Sequence, residues 1–166
     1  MSKSSTETPR TQPVAGALSV TGALRVHAET FVVDTAQRTQ VVDLTDRVTR
    51  MVRAQRIKDG QVHLFSTHTT CTLCINEFQA ALAADFKTFL EQVVSGDAAW
   101  RHNDPAHSDC DRMNADAHIR ALLLGHSLPL QLSGGEIVLG QWQRILLAEL
   151  DGPRARTLRL QVMGIE

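Results

Sequence analysis

Residues 61–75 read QVHLFSTHTTCTLCI, and this stretch predicts the longest strand of the chain. It is dense in β-branched residues and follows the turn signal Asp59-Gly60, a combination typical of a strand. A strand of this length is expected to be bent or bulged in its middle. The segment that decides the fold also contains His68 and two of the three cysteines.

Further strands are predicted on both sides of this stretch, at 23–33 and 39–43 before it and at 128–132, 136–139, 143–150 and 157–163 after it. Apolar spacings of three and four predict helices that begin at the cap Thr45, run from Glu77 to Val94, and follow the cap Asn114 as far as Leu124. Because strands and helices do not alternate regularly, the pattern indicates an α+β fold in a single domain.

Composition excludes several classes of partner. A chain of 166 residues fits one domain, and its net charge of -1 with no basic stripe argues against nucleic acid. The first residues are rich in Ser, Thr and Pro, which predicts a disordered tail over 1–16 before a domain over 17–166. No signal peptide, membrane anchor or spanning segment is predicted. We therefore expect a cytoplasmic protein without a membrane partner.

Three histidines stand at positions that allow a functional role. His68 is flanked by hydroxyl side chains rather than apolar ones. His118 lies one turn inside a predicted helix, where the positive end of the helix dipole favours the neutral imidazole that a metal requires. His102 lies on a polar loop, 95–113, long enough to suggest function or mobility. Each also has a plainer interpretation, as a solvated histidine.

Cys71 and Cys74 form a C-x-x-C pair, a spacing that often marks zinc or redox sites. Residues three apart on a regular strand point to opposite faces, so the two thiols cannot share a metal without a bulge. The spacing therefore favours two core cysteines. With Cys110 the count is odd, and reduced thiols are the simplest account.

Two further polar segments lie next to predicted strand ends. Asn76-Glu77 ends the long strand, where the carboxylate serves either as a helix cap or as a general acid or base. Trp142-Gln143 offers a flat apolar face beside an amide, which suits a small planar ligand, although a core tryptophan is the commoner use.

Five segments, in this order, resemble the YjbQ-like family. They are HTTCTLCINE at 68–77, HND at 102–104, NADAHIRALLLG at 114–125, GQWQ at 140–143 and ELDGPR at 149–154. The resemblance extends from about Ala23 to Gly164 and leaves out the N-terminal tail.

The resemblance implies an antiparallel sheet curved into a half-barrel with two to three helices, assembled as a homotrimer. It also implies that His68, His102 and His118 gather around a divalent metal. Three protein ligands with one open position form a catalytic zinc site, so zinc is the expected ion. Asn76 and Glu77 are then the catalytic candidates. The substrate-binding candidates are Thr69, Thr70, Asn114, Arg120, Trp142, Gln143 and Arg154.

The family is often described as a secondary thiamine-phosphate synthase, which joins a pyrimidine diphosphate to a thiazole phosphate. Such chemistry relies on Mg²⁺ held by carboxylates, here Asp104, Asp109 and Asp111, with Arg120 and Arg154 on the phosphate. Three histidines match Mg²⁺ poorly. Three hypotheses stay open: a metal-dependent enzyme acting on a small, phosphorylated molecule; the synthase itself; and a non-catalytic trimer that binds a metal or small molecule.

Overall fold

Two antiparallel sheets form the framework of the protein, whose computed structural model describes residues 4–9 and 19–166. The larger sheet has the strand order β1-β8-β3-β5-β6, and the smaller one has the order β2-β7-β4. In chain order the strands are β1 (Arg25–Asp34), β2 (Gln40–Asp43), β3 (Asp59–Ser66), β4 (Cys71–Asn76), β5 (Ser127–Ser133), β6 (Glu136–Ile137), β7 (Arg144–Glu149) and β8 (Ala155–Ile165).

Together the sheets curl into a half-barrel around one core, which confirms the α+β, single-domain prediction. Strand β8 shows how the core is built, because its residues alternate between buried and more exposed positions. Its buried Leu158, Leu160 and Val162 pack with Val62 and Leu64 of β3. Alternation with a period of two places these side chains on one face of the larger sheet.

The predicted long strand over 61–75 is wrong in one respect, since it is two strands in different sheets. Strand β3 ends at Ser66, and β4 begins at Cys71 in the smaller sheet. The corner between them is held by the Ser66 hydroxyl, which accepts the His68 backbone N–H at 3.3 Å and lies 3.0 Å from the Cys71 sulfur. A dense run of β-branched residues does not reveal where a chain leaves one sheet for the next.

Three helices connect the strands, namely α1 (Thr45–Arg53), α2 (Ala80–Val93) and α3 (Ala115–Leu124). Helix α2 begins three residues later than predicted, and its cap is Gln79, whose side chain accepts the Leu82 N–H at 3.1 Å. In place of the predicted cap Thr45, the Asp43 carboxylate accepts the Thr45 backbone N–H at 2.9 Å. No helix in the described ranges is long and apolar enough to cross a membrane.

Residues 4–9, which we name the strap, lie against the folded body. The Thr6 N–H donates to the Phe78 carbonyl at 3.3 Å, and the Thr8 N–H donates to the Gln141 carbonyl at 2.7 Å. The strap therefore crosses the end of the smaller sheet where β4 finishes and β7 begins. The rest of the predicted disordered tail, at 1–3 and 10–16, lies outside the described residues.

A buried ion pair joins the two sheets. Glu149 of β7 and Arg156 of β8 are 0% and 1% exposed, and the Arg156 Nε lies 2.6 Å from a Glu149 carboxylate oxygen. Arg156 also donates to the Thr70 hydroxyl at 3.0 Å, and Glu149 accepts the Thr35 hydroxyl at 2.9 Å. Burial alone would raise the pKa of Glu149, but the hydrogen bonds, led by that from Arg156, outweigh it and hold the pKa below its usual value.

Replacing Glu149 with alanine leaves the Arg156 guanidinium buried without its carboxylate. We expect the free energy of unfolding, measured by urea denaturation, to fall by about 3–5 kcal/mol. The control is Glu136→Ala, which breaks the exposed pair with Arg53 and should cost far less because water screens that pair. Equal losses in the two variants would contradict the role assigned to the buried pair.

Candidate functional site

A pair of imidazoles lies where the loop 95–113 meets α3. The rings of His102 and His118 are edge-to-face, with centroids 5.1 Å apart and planes at 84°. His102 sits in a single 3₁₀ turn, Arg101–Asn103. The Asn103 side-chain oxygen in that turn accepts the Ala115 N–H at 3.0 Å. This bond caps α3 from the loop and so brings His102 beside His118.

The predicted cap, Asn114, has a different partner. Its side chain makes no hydrogen bond to the first turn of α3 and instead donates to the Asp151 carboxylate at 2.8 Å. Asn114 occupies the expected position at the helix start, but Asn103 supplies the capping oxygen. The sequence could not show this, because the capping group comes from twelve residues away in the chain.

The His118 imidazole is biased towards its neutral form. Burial lowers its pKa most, the neighbouring His102 lowers it further, and the Asp151 and Asp116 carboxylates oppose the shift without reversing it. A neutral imidazole can accept a proton or bind a metal. The structure therefore agrees with the sequence in giving His118 the protonation state that either role needs.

The two rings line a shallow hollow of about 310 Å³. Its other lining residues include Trp100 and Arg101, and no acidic side chain of residues 4–9 or 19–166 lines it. Within the described residues the Arg101 side chain has no ion-pair or hydrogen-bond partner. The hollow therefore offers one unpaired cation, two imidazoles and an aromatic ring to a ligand.

A cluster of arginines converges on Asp151, next to the imidazole pair. Arg154 and Arg112 approach one Asp151 oxygen at 2.8 and 3.3 Å, and Arg38 approaches the other at 3.7 Å. Asp151 is buried, whereas the Arg38 and Arg112 side chains are half exposed. Since Asp151 is close enough to act on His118 electrostatically, the cluster forms a positively charged rim beside the hollow.

His68 is hydrogen-bonded to the backbone of β8. It lies in the corner after β3, where its Nε2 accepts the Thr157 backbone N–H at 2.7 Å. Burial and the positive charge of Arg156 lower its pKa, while Glu149 opposes the shift. The ring is therefore neutral at neutral pH, and the nitrogen that carries its lone pair is already engaged.

The predicted metal site is assembled only in part. No group of three or more His, Cys, Asp or Glu side chains in residues 4–9 and 19–166 is arranged to hold a metal ion. His102 and His118 fit such a role, because they are adjacent and His118 is neutral. His68 fits it less well, since its Nε2 would have to release the Thr157 N–H before binding a metal.

The structure revises the roles of three predicted substrate-binding residues. Thr70, Asn114 and Arg120 are buried, so none is open to a bound ligand. Arg120 donates to the Val94 carbonyl at 3.1 Å and pairs with Asp116 at 3.0 Å. These three buried residues hold neighbouring parts of the chain in place and do not line the hollow. Thr69 is exposed, and Arg154 is partly exposed on the rim described above.

The remaining predicted site residues lie at the opposite end of the smaller sheet. Asn76 pairs with Arg144 in the β4–β7 register, whereas Cys71 pairs with Glu149 near the histidines. Five residues of strand separate the two ends by roughly 17 Å. The structure therefore does not bring the catalytic candidates Asn76 and Glu77 to the imidazole pair within one chain.

Trp142 and Gln143 lie at the same distant end, in the turn before β7. Trp142 is exposed, and the Gln143 carbonyl accepts the Thr8 hydroxyl of the strap at 3.0 Å. Glu77 accepts a hydrogen bond from Ser5 of the strap. These residues therefore form a second polar cluster under the strap.

Of the two cysteines predicted to lie in the core, Cys71 does so and Cys74 is only partly buried. All three cysteines are free thiols. Cys71 is packed in the core between the sheets, while Cys74 lines a recess under α2. Burial raises the pKa of both thiols, so neither is a ready thiolate nucleophile or metal ligand.

Sequence reasoning missed the most exposed cations of the site. Arg101 is adjacent to His102 in the chain, and that adjacency is the only signal that could have found it. Arg112 lies at the end of the same loop. Arg38 lies in the turn after β1 and contacts Asp116, 78 positions away in the chain, at 3.1 Å. Nothing in the sequence around Arg38 indicates that contact.

The lowered pKa of His68 predicts a pH dependence of stability. The unfolded chain takes up a proton on this residue near pH 6.5, whereas the folded ring resists protonation. The stabilisation is thus complete above about pH 6.5 and is lost as the pH falls towards the folded-state pKa. We expect His68→Gln to lose less stability than the wild type between about pH 7.5 and about pH 5.5.

Urea denaturation in a buffer that contains a chelator measures this difference. The control variant His63→Gln removes a histidine from the exposed face of β3 and tests whether loss of any histidine has the same effect. Parallel pH profiles for the wild type and His68→Gln would rule out the proposed linkage.

Comparisons with known proteins agree with this architecture. The model of the UPF0047 protein YjbQ-like family matches residues 29–165. A UPF0047 protein of Methanothermobacter thermautotrophicus is 36% identical over 141 residues, which cover 85% of this chain and 94% of the relative. One from Archaeoglobus fulgidus is 39% identical over 131 residues, covering 78% and 95% of the two chains.

Solved structures of similar proteins also match this fold. A YbjQ-like protein of unknown function from Sulfolobus solfataricus aligns with a TM-score of 0.80 at 32% identity and covers 86% of this chain and 99% of its own. A hypothetical protein from Aeropyrum pernix aligns with a TM-score of 0.76 at 33% identity, covering 83% and 98%. The chain therefore belongs to the YjbQ-like UPF0047 family.

Proposed function

We propose that the protein binds a small phosphorylated molecule in the hollow beside His102 and His118 and acts on it as an enzyme. The observation that supports this most directly is the lining of the hollow, which, as far as the described residues show, combines unpaired Arg101 with two imidazoles and no acidic side chain. Arginine is well suited to phosphate because its planar fork donates two parallel hydrogen bonds. The ring of Trp100 provides an apolar surface for the rest of the ligand.

The neutral His118 is the acid–base group of this proposal. Its lowered pKa lets it accept a proton at neutral pH. His102 touches it edge-on and can share the proton or contact the ligand. The arginines around Asp151 stabilise negative charge on the phosphoryl oxygens, while Asp151 keeps the guanidinium groups of Arg112 and Arg154 in place.

A divalent metal, most simply zinc, defines the alternative form of this proposal, because an imidazole nitrogen that binds a metal cannot also accept a proton. His102 and His118 are the ligands that the geometry supports, and His68 is the candidate third ligand. Bound zinc would supply a Lewis acid at the open position. The thiamine-phosphate synthase reaction is a less favoured version of this proposal, because it needs Mg²⁺ on carboxylates and the described residues form no such group.

We also propose that the protein is a cytoplasmic homotrimer. Leu122 and Leu123 of α3 are 76% and 62% exposed, and Leu122 lies one helical turn beyond His118, so an apolar surface adjoins the hollow. Contact with another copy of the chain would cover it. The three free thiols are consistent with a reducing compartment.

Phenyl phosphate, which has a phosphate group and an aromatic ring, tests the binding proposal. We expect saturable binding by isothermal titration calorimetry and a loss of at least about tenfold in affinity for Arg101→Ala, because a charge-assisted hydrogen bond to phosphate is removed. The control is Arg50→Ala in α1, an exposed arginine whose side chain likewise forms no ion pair or hydrogen bond within the described residues.

Equal weakening in both arginine variants, or no binding by the wild type, would contradict the proposed site. Release of phosphate, followed in the same samples, separates an enzyme from a binding protein. Binding without turnover across a panel of phosphate esters would favour the non-catalytic alternative.

Metal analysis tests the role of the imidazole pair. We expect purified protein to bind zinc and His118→Ala to bind it at least about tenfold more weakly, since one of its ligands is lost. His68→Ala should weaken zinc less, because the His68 Nε2 is held by the Thr157 N–H. His107→Ala, on the same loop but bonded to Asp104 at 2.9 Å, is the control. Unchanged zinc affinity in His118→Ala would overturn the metal proposal.

A further inference from the structure

A second cavity lies between α2 and the smaller sheet, at the end far from the imidazole pair. Its outer part has a volume of about 420 Å³, which falls within the range of small-molecule sites. Beside it lies a narrow inner recess of about 30 Å³. The side chains of Val41, Phe78 and Ala83 line both parts, so the two adjoin each other at these residues.

The sequence of α2 explains why this space exists. Ala80, Ala83, Ala84 and Lys87 follow one another at spacings of three, one and three, and all four line the outer cavity. Residues with these spacings share one face of a helix. Because three of them are alanines, their short side chains leave space beside this face of the helix, while Leu90 is buried against α3.

The charge of the cavity is set by one residue. Among the residues that the structure describes, Lys87 is the only ionised side chain that lines the outer part, and the other polar groups there are glutamine amides and hydroxyls. Within the described residues, Lys87 forms neither an ion pair nor a hydrogen bond through its side chain. A ligand that fills this space therefore binds more tightly if it places an anionic group at Lys87.

The lining of the inner recess indicates the chemistry of the other half of the ligand. Cys74, Leu82 and Phe86 line it together with Leu146 and Ala148, and burial keeps the Cys74 thiol uncharged by raising its pKa. This lining favours a narrow apolar chain over a polar group. The cavity therefore matches an amphipathic molecule with an anionic head and an apolar tail.

The strap forms part of the wall of the outer cavity. Ser4 and Thr6 line the outer cavity. The Thr6 N–H bond to Phe78 and the Ser5 bond to Glu77 hold these residues at the mouth. A short peptide segment with few bonds can open more readily than a sheet, which gives a ligand a route into the cavity.

We propose that the cavity under α2 is a binding site for a free medium-chain carboxylate, with its head at Lys87 and its tail in the recess beside Cys74 and Phe86. This site is separate from the imidazole pair, and its occupancy does not depend on the activity proposed there.

Octanoate is the probe for this site, and isothermal titration calorimetry on the full chain is the measurement. We expect one octanoate to bind each chain. Ala83→Phe should reduce its affinity at least about tenfold, because the ring fills the space where the two parts of the cavity adjoin. Ala81→Phe adds the same ring to the exposed side of α2 and should bind octanoate as the wild type does.

A charge variant keeps the test valid if Ala83→Phe fails to fold. Lys87→Gln should weaken octanoate several-fold while leaving the binding of uncharged octanol unchanged, and Lys58→Gln at an exposed position is its control. The proposal is overturned if octanoate does not bind to the wild type, if Lys87→Gln binds it as the wild type does, or if a folded Ala83→Phe binds it normally.

Discussion

The ion pair between Glu149 and Arg156 holds together four parts of the chain that meet where the two sheets join. It links β7 to β8 directly, ties the corner after β3 through Thr70, and ties the end of β1 through Thr35. A buried pair of this kind adds little net stability over an apolar packing, but it fixes position closely because each polar group needs its partner. The fold therefore depends on this ion pair to set the relative positions of the two sheets more than to raise the free energy of unfolding.

The geometry of the candidate site depends on the ion pair between Glu149 and Arg156. Each of three site residues stands two positions along the chain from a member of the network: His68 from Thr70, Asp151 from Glu149, and Arg154 from Arg156. A shift of the pair would move a ring, a carboxylate and a guanidinium together. The imidazoles of His102 and His118 depend on it less directly, through the bond from Asn114 to Asp151.

Local patterns were enough to predict most of the fold. Apolar periodicity located the three helices described and most strands. Burial repeats every two residues along a strand and every 3.6 along a helix, so the pattern can be seen within a short stretch of sequence. The pattern failed at the corner after Ser66, where a strand-like composition continues while the chain changes sheets. It also failed to assign caps correctly, since Asn103 supplies the bond expected of Asn114.

The site was predicted in part for the same reason. His102 and His118 come together as the resemblance implied, but Arg120 is buried against Val94 and Glu77 lies at the opposite end of the sheet. Partners that are dozens of residues apart in the chain cannot be inferred from spacing. The exposed arginines escaped notice because a surface arginine beside a site looks the same in sequence as any other surface arginine.

The strap has an evolutionary consequence. The family model matches residues 29–165, so the strap, which forms one wall of the cavity under α2, lies outside the part that defines the family. Substitutions in this short segment can change the shape and polarity of that wall without disturbing any strand. The shape of this wall can therefore change without any change in the half-barrel or in the imidazole pair.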